Sequence, residues 1–306
     1  MFCKECHGSP SNGNCGLSRT YNLRYEDYPS NITLTDHSLV DDPCHDSCQQ
    51  ARDNVETVAK FINSPTSKFK PLDRYEAIIN VGRISGSYEP PVWNRKTRQA
   101  LFGQREINGI MRSHGTDITV VAHEFCHGLI GPLESPPKNA LEESFCDIFA
   151  VLVRNYHRDY GCYWNNPHNW LWDVGENFQE GTGSLRQLDQ LLSLRFTDAG
   201  SVYGQIDWNT AENYHELSLI HSHAFYRLMT IHNTFIDGEP LFNGEFALNL
   251  FGAVLENIPT LNRFPKSFSM SRKVFKEQAK ELLKASPHIE VQLDAISQAF
   301  IDVGIE

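Results

Sequence analysis

The chain has 306 residues, of which 40% are hydrophobic and 21% charged, a composition typical of a globular protein with a sizeable core. Its net charge of −11 argues against a nucleic-acid partner, and no apolar run approaches the length of a membrane span. We therefore expect a globular protein with one large domain or two lobes.

Residues 1–18 form a cysteine-rich N-terminal segment. The whole chain has eight cysteines, an even number that favours disulfides in an oxidising compartment. A small zinc knuckle in a cytosolic protein is the alternative, because Cys3, Cys6 and His7 form a CxxCH motif, which is weak evidence when it occurs once at a terminus. Residues 1–18 contain no basic-then-apolar signal sequence.

Residues 19–132 are predicted to form a strand-rich lobe that ends in a helix. Within it, residues 53–62 are predicted as a helix, because Val55, Val58 and Ile62 recur on one face. Residues 75–84 have the composition of a strand.

The helix that ends this lobe contains the run His123-Glu124-Phe125-Cys126-His127. Positions i and i+4 of a helix lie on one face, so His123 and His127 can hold one zinc ion. Glu124 lies beside them, where it can take a proton from a water molecule at the metal. Zinc-dependent hydrolysis is therefore the first hypothesis. An ordinary helix with two hydrogen-bonded histidines is the alternative.

Residues 139–152 are predicted as a second helix, because Leu141, Phe145 and Ile148 recur at helical spacing. Glu143 and Asp147 are four residues apart and share a face. Glu143 is the candidate for a third zinc ligand, and Asp147 for the acceptor of a ring N–H from a liganding histidine. Two solvated acids on a surface helix would be the simpler interpretation without the histidine pair upstream.

These two motifs in this order resemble the thermolysin-like family of zinc metallopeptidases, the gluzincins. Residues 172–176 are similar to the W-E-I-G-E stretch of that family, and residues 183–186 to its S-L-R element. Residues 215–226 resemble its downstream histidine element, and residues 298–304 its last helix. Residues 92–94 and 100–103 resemble the strands of its substrate cleft. The resemblance therefore extends from about residue 19 to the C-terminus.

The resemblance implies an α+β, two-lobed zincin fold. The strand-rich N-terminal lobe and a mainly helical C-terminal lobe, residues 133–306, would then enclose the active-site helix between them. One catalytic zinc ion is implied, with His123, His127 and Glu143 as ligands. Glu124 is implied as the general base, and Asp147 as the residue that orients a liganding histidine.

Further roles follow from the same resemblance. His215 is expected to stabilise the oxyanion, and Arg186 to contact a substrate carbonyl. Val120 and Leu185 are expected to line the pocket for the side chain that follows the scissile bond, which favours cleavage before hydrophobic residues. Without the family, Arg186 would be interpreted as a surface salt bridge, and Val120 and Leu185 as core residues.

The chain departs from the family pattern at three positions. Glu134 stands where the family usually has a Tyr that helps to hold the oxyanion, and Glu142 where an Asn precedes the Glu ligand. Pro90 falls near the Asn that normally binds the substrate backbone. An alternative function is therefore a zinc-bearing, catalytically impaired binding or inhibitory protein on a peptidase fold.

Calcium at the principal calcium site of the family is predicted to be absent. Two acidic positions of that site carry Thr119 and Arg154 in this chain, whereas Asp173 and Glu176 remain. An Arg beside two carboxylates can replace a hard cation with a salt bridge.

The sequence thus predicts a monomeric, secreted, zinc-dependent endopeptidase that acts on peptides or proteins. A further hypothesis concerns residues 1–18, which could cover the cleft with a thiolate in the open zinc position.

Overall fold

The structure is a computed structural model, and it describes residues 2–3, 18–21, 34–37, 44–64, 69, 76–81, 91–95, 98–107, 110–130, 140–158, 163–176, 178, 184–190, 214–260 and 268–306. Pro90, Glu134 and the side chains of the cysteines before residue 50 lie outside this description. The expectations for disulfides, for an N-terminal zinc knuckle and for a cleft-covering segment therefore remain predictions.

The secondary structure follows the predicted division into a strand-rich and a helical part. The described strands are β1 (Phe2–Cys3), β2 (Ser18–Tyr21), β3 (Leu34–His37), β4 (Glu76–Val81), β5 (Val92–Asn94), β6 (Gln99–Ile107), β7 (Ile110–Ser113), β8 (Asp173–Glu176), β9 (Ser184–Gln187), β10 (Phe235–Ile236) and β11 (Glu239–Pro240). The described α-helices are α1 (Cys44–Ile62), α2 (Ile118–Ile130), α3 (Ala140–Arg158), α4 (Tyr214–Met229), α5 (Gly244–Thr260), α6 (Phe268–Leu282) and α7 (Ile289–Ile301).

Five of the described strands form one mixed sheet in the order β1-β4-β6-β5, with β7 paired to β6, whereas β2 and β3 pair with each other in a separate antiparallel sheet. The strand pairs β1–β4 and β4–β6 are parallel, whereas β5 and β7 run antiparallel to β6. In this sheet β5 is an edge strand, and Trp93 on β5 faces Ala100 on β6.

Two central helices, α2 and α3, connect the sheet to the helical lobe. Both are rich in side chains with no contact to water, including Phe125 on α2 and Phe145, Ile148 and Phe149 on α3. Helices α1, α4 and α5 pack around them. The predicted α+β architecture with two lobes is confirmed.

The start of α2 is fixed by Asp117, which precedes the first helical residue. Its carboxylate accepts hydrogen bonds from the backbone N–H of Thr119 at 2.8 Å and of Val120 at 3.3 Å. These are helix N–H groups with no partner inside the helix, so Asp117 acts as an N-cap. Burial raises the pKa of Asp117, although the three hydrogen bonds from Thr119 and Val120 act in the opposite direction.

One helix prediction differs from the structure at its start. Helix α1 begins at Cys44, nine residues before the predicted start at residue 53. The predicted strand at residues 75–84 contains β4, Glu76–Val81, and its remaining residues lie outside the described ranges. None of the helices in the described ranges is long and apolar enough to cross a membrane.

Candidate active site

The two histidines of the HExxH motif lie on one face of α2. The ring centroids of His123 and His127 are 5.1 Å apart, with the rings nearly perpendicular. Only 4% of the surface of His123 is exposed. Helical spacing therefore brings the two rings together, as the sequence predicts.

Glu143 on α3 faces both rings. Its Oε2 atom lies 3.1 Å from Nε2 of His123, and its Oε1 atom lies 3.6 Å from Nε2 of His127. Burial raises the pKa of Glu143, but hydrogen bonds to His123 and His215 outweigh this effect and hold the pKa well below its usual value. Two imidazole nitrogens and one carboxylate are a donor set typical of a catalytic zinc site with an open position.

Asp147 and Arg186 hold the His123 ring through its Nδ1 side, away from Glu143. Asp147 Oδ1 accepts a hydrogen bond from Nδ1 of His123 at 2.9 Å, so Nε2 of that ring, which faces Glu143, is the nitrogen that would bind a metal. Arg186 donates to the same carboxylate from Nε at 2.8 Å. Burial raises the pKa of Asp147, but the Arg186 guanidinium and the hydrogen bond from His123 together outweigh burial, and the net shift of the pKa is downward.

Glu142 supports the second histidine, a role that the sequence analysis did not assign. Its Oε1 atom lies 2.6 Å from Nδ1 of His127 and also pairs with Arg95. Glu142 stands where the family usually has Asn, and this departure is the only sequence signal for its position. Its partner Arg95 is 47 residues away in the chain and could not have been identified by spacing.

Two cysteine thiols lie next to these ligands, between α2 and α3. Cys126 and Cys146 are both free and fully buried, and burial raises the pKa of both thiols. Donor atoms of His123, His127 and Cys146 lie within 4.8 Å of one another, so this trio could also bind a metal. Glu143 is the better candidate for the third ligand of a catalytic site, because its two carboxylate oxygens face the Nε2 atoms of both histidines.

Glu124 and His215 lie at the open side of the site. Glu124 is 4% exposed, and burial raises its pKa. His215, near the start of α4, has its Nδ1 atom 3.0 Å from Oε2 of Glu143 and a side chain that is 47% exposed. The structure therefore brings both residues to the cluster that the sequence predicts.

A pocket of about 210 Å³ opens beside this cluster. Its lining includes the predicted residues Val120, Leu185, Arg186 and His215 together with His123 and Glu124. It also includes four residues that the sequence analysis did not assign to it, Pro91, Arg105, His114 and Val174.

The residues at the positions of the principal calcium site of the family contact other groups of the protein. Arg154 pairs with Glu176 and donates to the backbone carbonyl of Asp173 at 3.2 Å. The Thr119 hydroxyl accepts a hydrogen bond from the backbone N–H of Gly175 at 2.8 Å. These contacts are those expected if Arg154 takes the place of a cation.

Comparisons with known proteins agree with the predicted fold and family. The family model described as thermolysin metallopeptidase, alpha-helical domain, matches residues 137–305, which is more than half of the chain. The solved structure of the precursor of protealysin, a metalloproteinase from Serratia proteamaculans, superimposes with a TM-score of 0.64 at 17% identity. This match covers 92% of this chain and 84% of that chain. A search among curated protein sequences gave no match. From its family match, the chain belongs to the thermolysin family of metallopeptidases.

Proposed function

We propose that this protein is a zinc-dependent endopeptidase that hydrolyses peptide bonds in peptides or proteins. The observation that supports this most directly is the convergence of His123, His127 and Glu143, with Glu124 beside them in a cleft. Family membership supports a metallopeptidase in general, and this arrangement supports the specific chemistry.

His123, His127 and Glu143 would hold the metal through two Nε2 atoms and one carboxylate. A zinc ion bound there lowers the pKa of a water molecule and polarises the substrate carbonyl. Glu124 accepts a proton from the attacking water and then donates it to the leaving amine as the C–N bond breaks. Burial of Glu124 excludes bulk water from this proton transfer.

His215 and Arg186 would act on the oxygen of the scissile carbonyl and on the neighbouring backbone. His215 can donate a hydrogen bond to the developing oxyanion, and preorganised donors of this kind typically contribute several kcal/mol. Arg186 is held in place by Asp147, with Nη2 at 2.7 Å from Oδ1, and can donate to a substrate carbonyl.

The side chain that follows the scissile bond would enter the pocket beside Glu124. Val120 and Leu185 supply apolar walls there, and Val174 adds a third. These walls taken alone favour side chains with apolar surface, the basis of the expected cleavage before hydrophobic residues, but the pocket lining also includes the polar residues Arg105 and His114.

The test is cleavage of a quenched peptide mixture, with cut sites mapped by mass spectrometry. Wild type is compared with Glu124→Gln, which keeps the size of the side chain but cannot accept the proton. We expect the variant to lose activity by at least ~100-fold, as for removal of a general base. Glu281→Gln, an exposed Glu on α6, is the matched control and should retain full activity.

Absence of cleavage by a folded, zinc-loaded wild type would favour the alternative, a catalytically impaired binding or inhibitory protein. Secretion, a monomeric state and the absence of calcium from the principal site of the family remain predictions from the resemblance. The contacts of Arg154 with Glu176 and with the Asp173 carbonyl support the last of these.

A further inference from the structure

Two polar residues that the sequence analysis did not assign to the substrate pocket share it with Val120 and Leu185. Arg105 comes from β6, and His114 comes from the short 3-10 turn His114–Thr116 that follows β7. A pocket for purely hydrophobic side chains has no need of a guanidinium group, because burying a charge without a partner costs free energy.

Arg105 differs from the other arginine of the pocket in its partners. Arg186 is neutralised by Asp147, with two of its nitrogens within hydrogen-bond distance of Oδ1. Among the side chains that the structure describes, no carboxylate lies within ion-pair distance of Arg105. Glu142 is likewise already paired, with Arg95, so its charge does not compensate Arg105.

His114 adds a rigid wall and no positive charge. Burial lowers the pKa of His114 to about 4, with a further contribution from the charge of Arg105, so its ring is neutral at pH 7. Its Nδ1–H donates to the Gly103 carbonyl at 3.0 Å, and the ring stacks on Phe178 with centroids 4.8 Å apart. The uncompensated charge on this wall therefore belongs to Arg105.

We propose that this pocket selects an acidic side chain after the scissile bond, with glutamate preferred. The two methylene groups of glutamate would lie against Val120 and Leu185, and its carboxylate would pair with Arg105. Guanidinium and carboxylate groups can form two parallel hydrogen bonds, which gives geometric selectivity as well as attraction. This inference rests on the proposed peptidase function, and it replaces the hydrophobic preference expected from the apolar walls alone.

The experiment uses quenched peptides that are identical except for the residue after the scissile bond, which is Glu, Gln, Leu or Phe. We expect kcat/KM for the Glu peptide to exceed that for the Gln peptide by about tenfold or more, the size of one charge-assisted hydrogen bond. The preference should decrease at high salt, since part of it is electrostatic.

Arg105→Gln should abolish the preference for Glu over Gln, so that the ratio of the two kcat/KM values falls to about one. Arg105→Glu should invert the preference, with the Gln peptide cleaved faster than the Glu peptide, because the two carboxylates repel each other. Arg112→Gln is the matched control, because Arg112 faces Arg105 across the β6–β7 pair but is exposed and does not line the pocket. This control should retain the preference.

Equal rates for the Glu and Gln peptides, or fastest cleavage of the Leu peptide, would overturn the inference while leaving the peptidase function intact. If no peptide is cleaved, the peptidase proposal fails, and the pocket is tested by binding of the same labelled peptides followed by fluorescence anisotropy. Tighter binding of the Glu than of the Gln peptide, lost in Arg105→Gln, supports the pocket, and equal binding overturns it.

Discussion

At the scale of single residues, the Nδ1 atom of each histidine in the HExxH motif of α2 contacts a different carboxylate. His123 donates to Asp147, and His127 lies at hydrogen-bond distance from Glu142. A carboxylate behind a metal-binding imidazole fixes its tautomer and increases its basicity. Arg95 pairs with Glu142 and offsets the additional negative charge. Glu142 is therefore a supporting residue for His127, although it departs from the family pattern.

We expect Glu142→Ala to lower zinc affinity about 10- to 100-fold, the usual effect of removing such a partner. Glu142→Gln should retain most of the affinity, because an amide oxygen can still accept the N–H of His127. Competition with a fluorescent zinc chelator measures the zinc affinity of both variants. Glu281→Gln is the control and should keep the wild-type affinity. Unchanged affinity in the Ala variant would show that Glu142 does not support His127.

The proposed ligand residues were accessible from the sequence because helical spacing fixes their relative positions. His123 and His127 are one turn apart, as are Glu143 and Asp147, so each pair had to share a face. Arg95 and Arg105 were not accessible in this way. The pairing of Arg95 with Glu142 and the place of Arg105 in the pocket depend on how strands pack against helices far away in the chain, and no local pattern encodes that packing.

Among the secondary-structure elements, α2 and the edge strand β5 approach closely at Gly128. A Cβ atom at this position would lie 2.6 Å from the ring of Trp93, well inside van der Waals contact. Trp93 is itself buried and packs on Phe125 with ring centroids 5.5 Å apart. Strand β5, beside the pocket, therefore packs directly against helix α2, which carries His123 and His127.

Gly128→Ala has two opposing effects on the free energy of unfolding. In an unconstrained helix the change would stabilise by roughly 1 kcal/mol, whereas overpacking typically destabilises by roughly 1–3 kcal/mol. We expect net destabilisation in urea denaturation, because the Trp93 ring has little room to move. In a protein that already carries Trp93→Phe, Gly128→Ala should lower the free energy of unfolding by less than it does in the wild type, because the Phe ring is smaller. Stabilisation by Gly128→Ala would contradict the close contact.

Element positions were predicted best where apolar periodicity was strong. The predicted helix at residues 139–152 overlaps α3 from Ala140 onward, whereas the first nine residues of α1 are mostly polar and carry no such period. Strands β10 and β11 have two residues each, too few for an alternating pattern. Only Asp237 and Gly238, both with positive φ, give a local turn signal there.

At the scale of the whole molecule, a buried polar network centred on His221 of α4 links α4 to α3 and α6. Its Nδ1 atom lies 2.7 Å from the Ser144 hydroxyl on α3, and its Nε2 atom lies 2.7 Å from the Ser271 hydroxyl on α6. The ring contacts the aromatic side chains of Phe145, Phe268, Phe275 and Phe300. Burial lowers the pKa of His221 to about 3.

This network predicts a specific acid sensitivity. Between pH 6.5 and about 3, the unfolded chain protonates His221 while the folded protein does not, so the free energy of unfolding decreases as the pH falls. The His221 ring can contribute at most about 1.4 kcal/mol per pH unit to the slope of the free energy of unfolding against pH. We expect His221→Gln to show a flatter dependence between pH 6.5 and 4.5 in urea denaturation. His157→Gln, an exposed histidine on α3, should keep the wild-type slope, and equal slopes for both variants would contradict the assignment.

Strand β5 limits how a substrate can be held by its backbone. It has three residues, Val92–Asn94, and Pro91 immediately before it has no N–H to offer to a neighbouring strand. Because alternate residues of a strand point their hydrogen-bonding groups to the same side, so short an edge can pair with few substrate residues. Lengthening a peptide along this edge should add little affinity. Recognition by this protein would then depend mainly on one side chain in one pocket, so that a single residue next to the cleaved bond determines which peptides are cut.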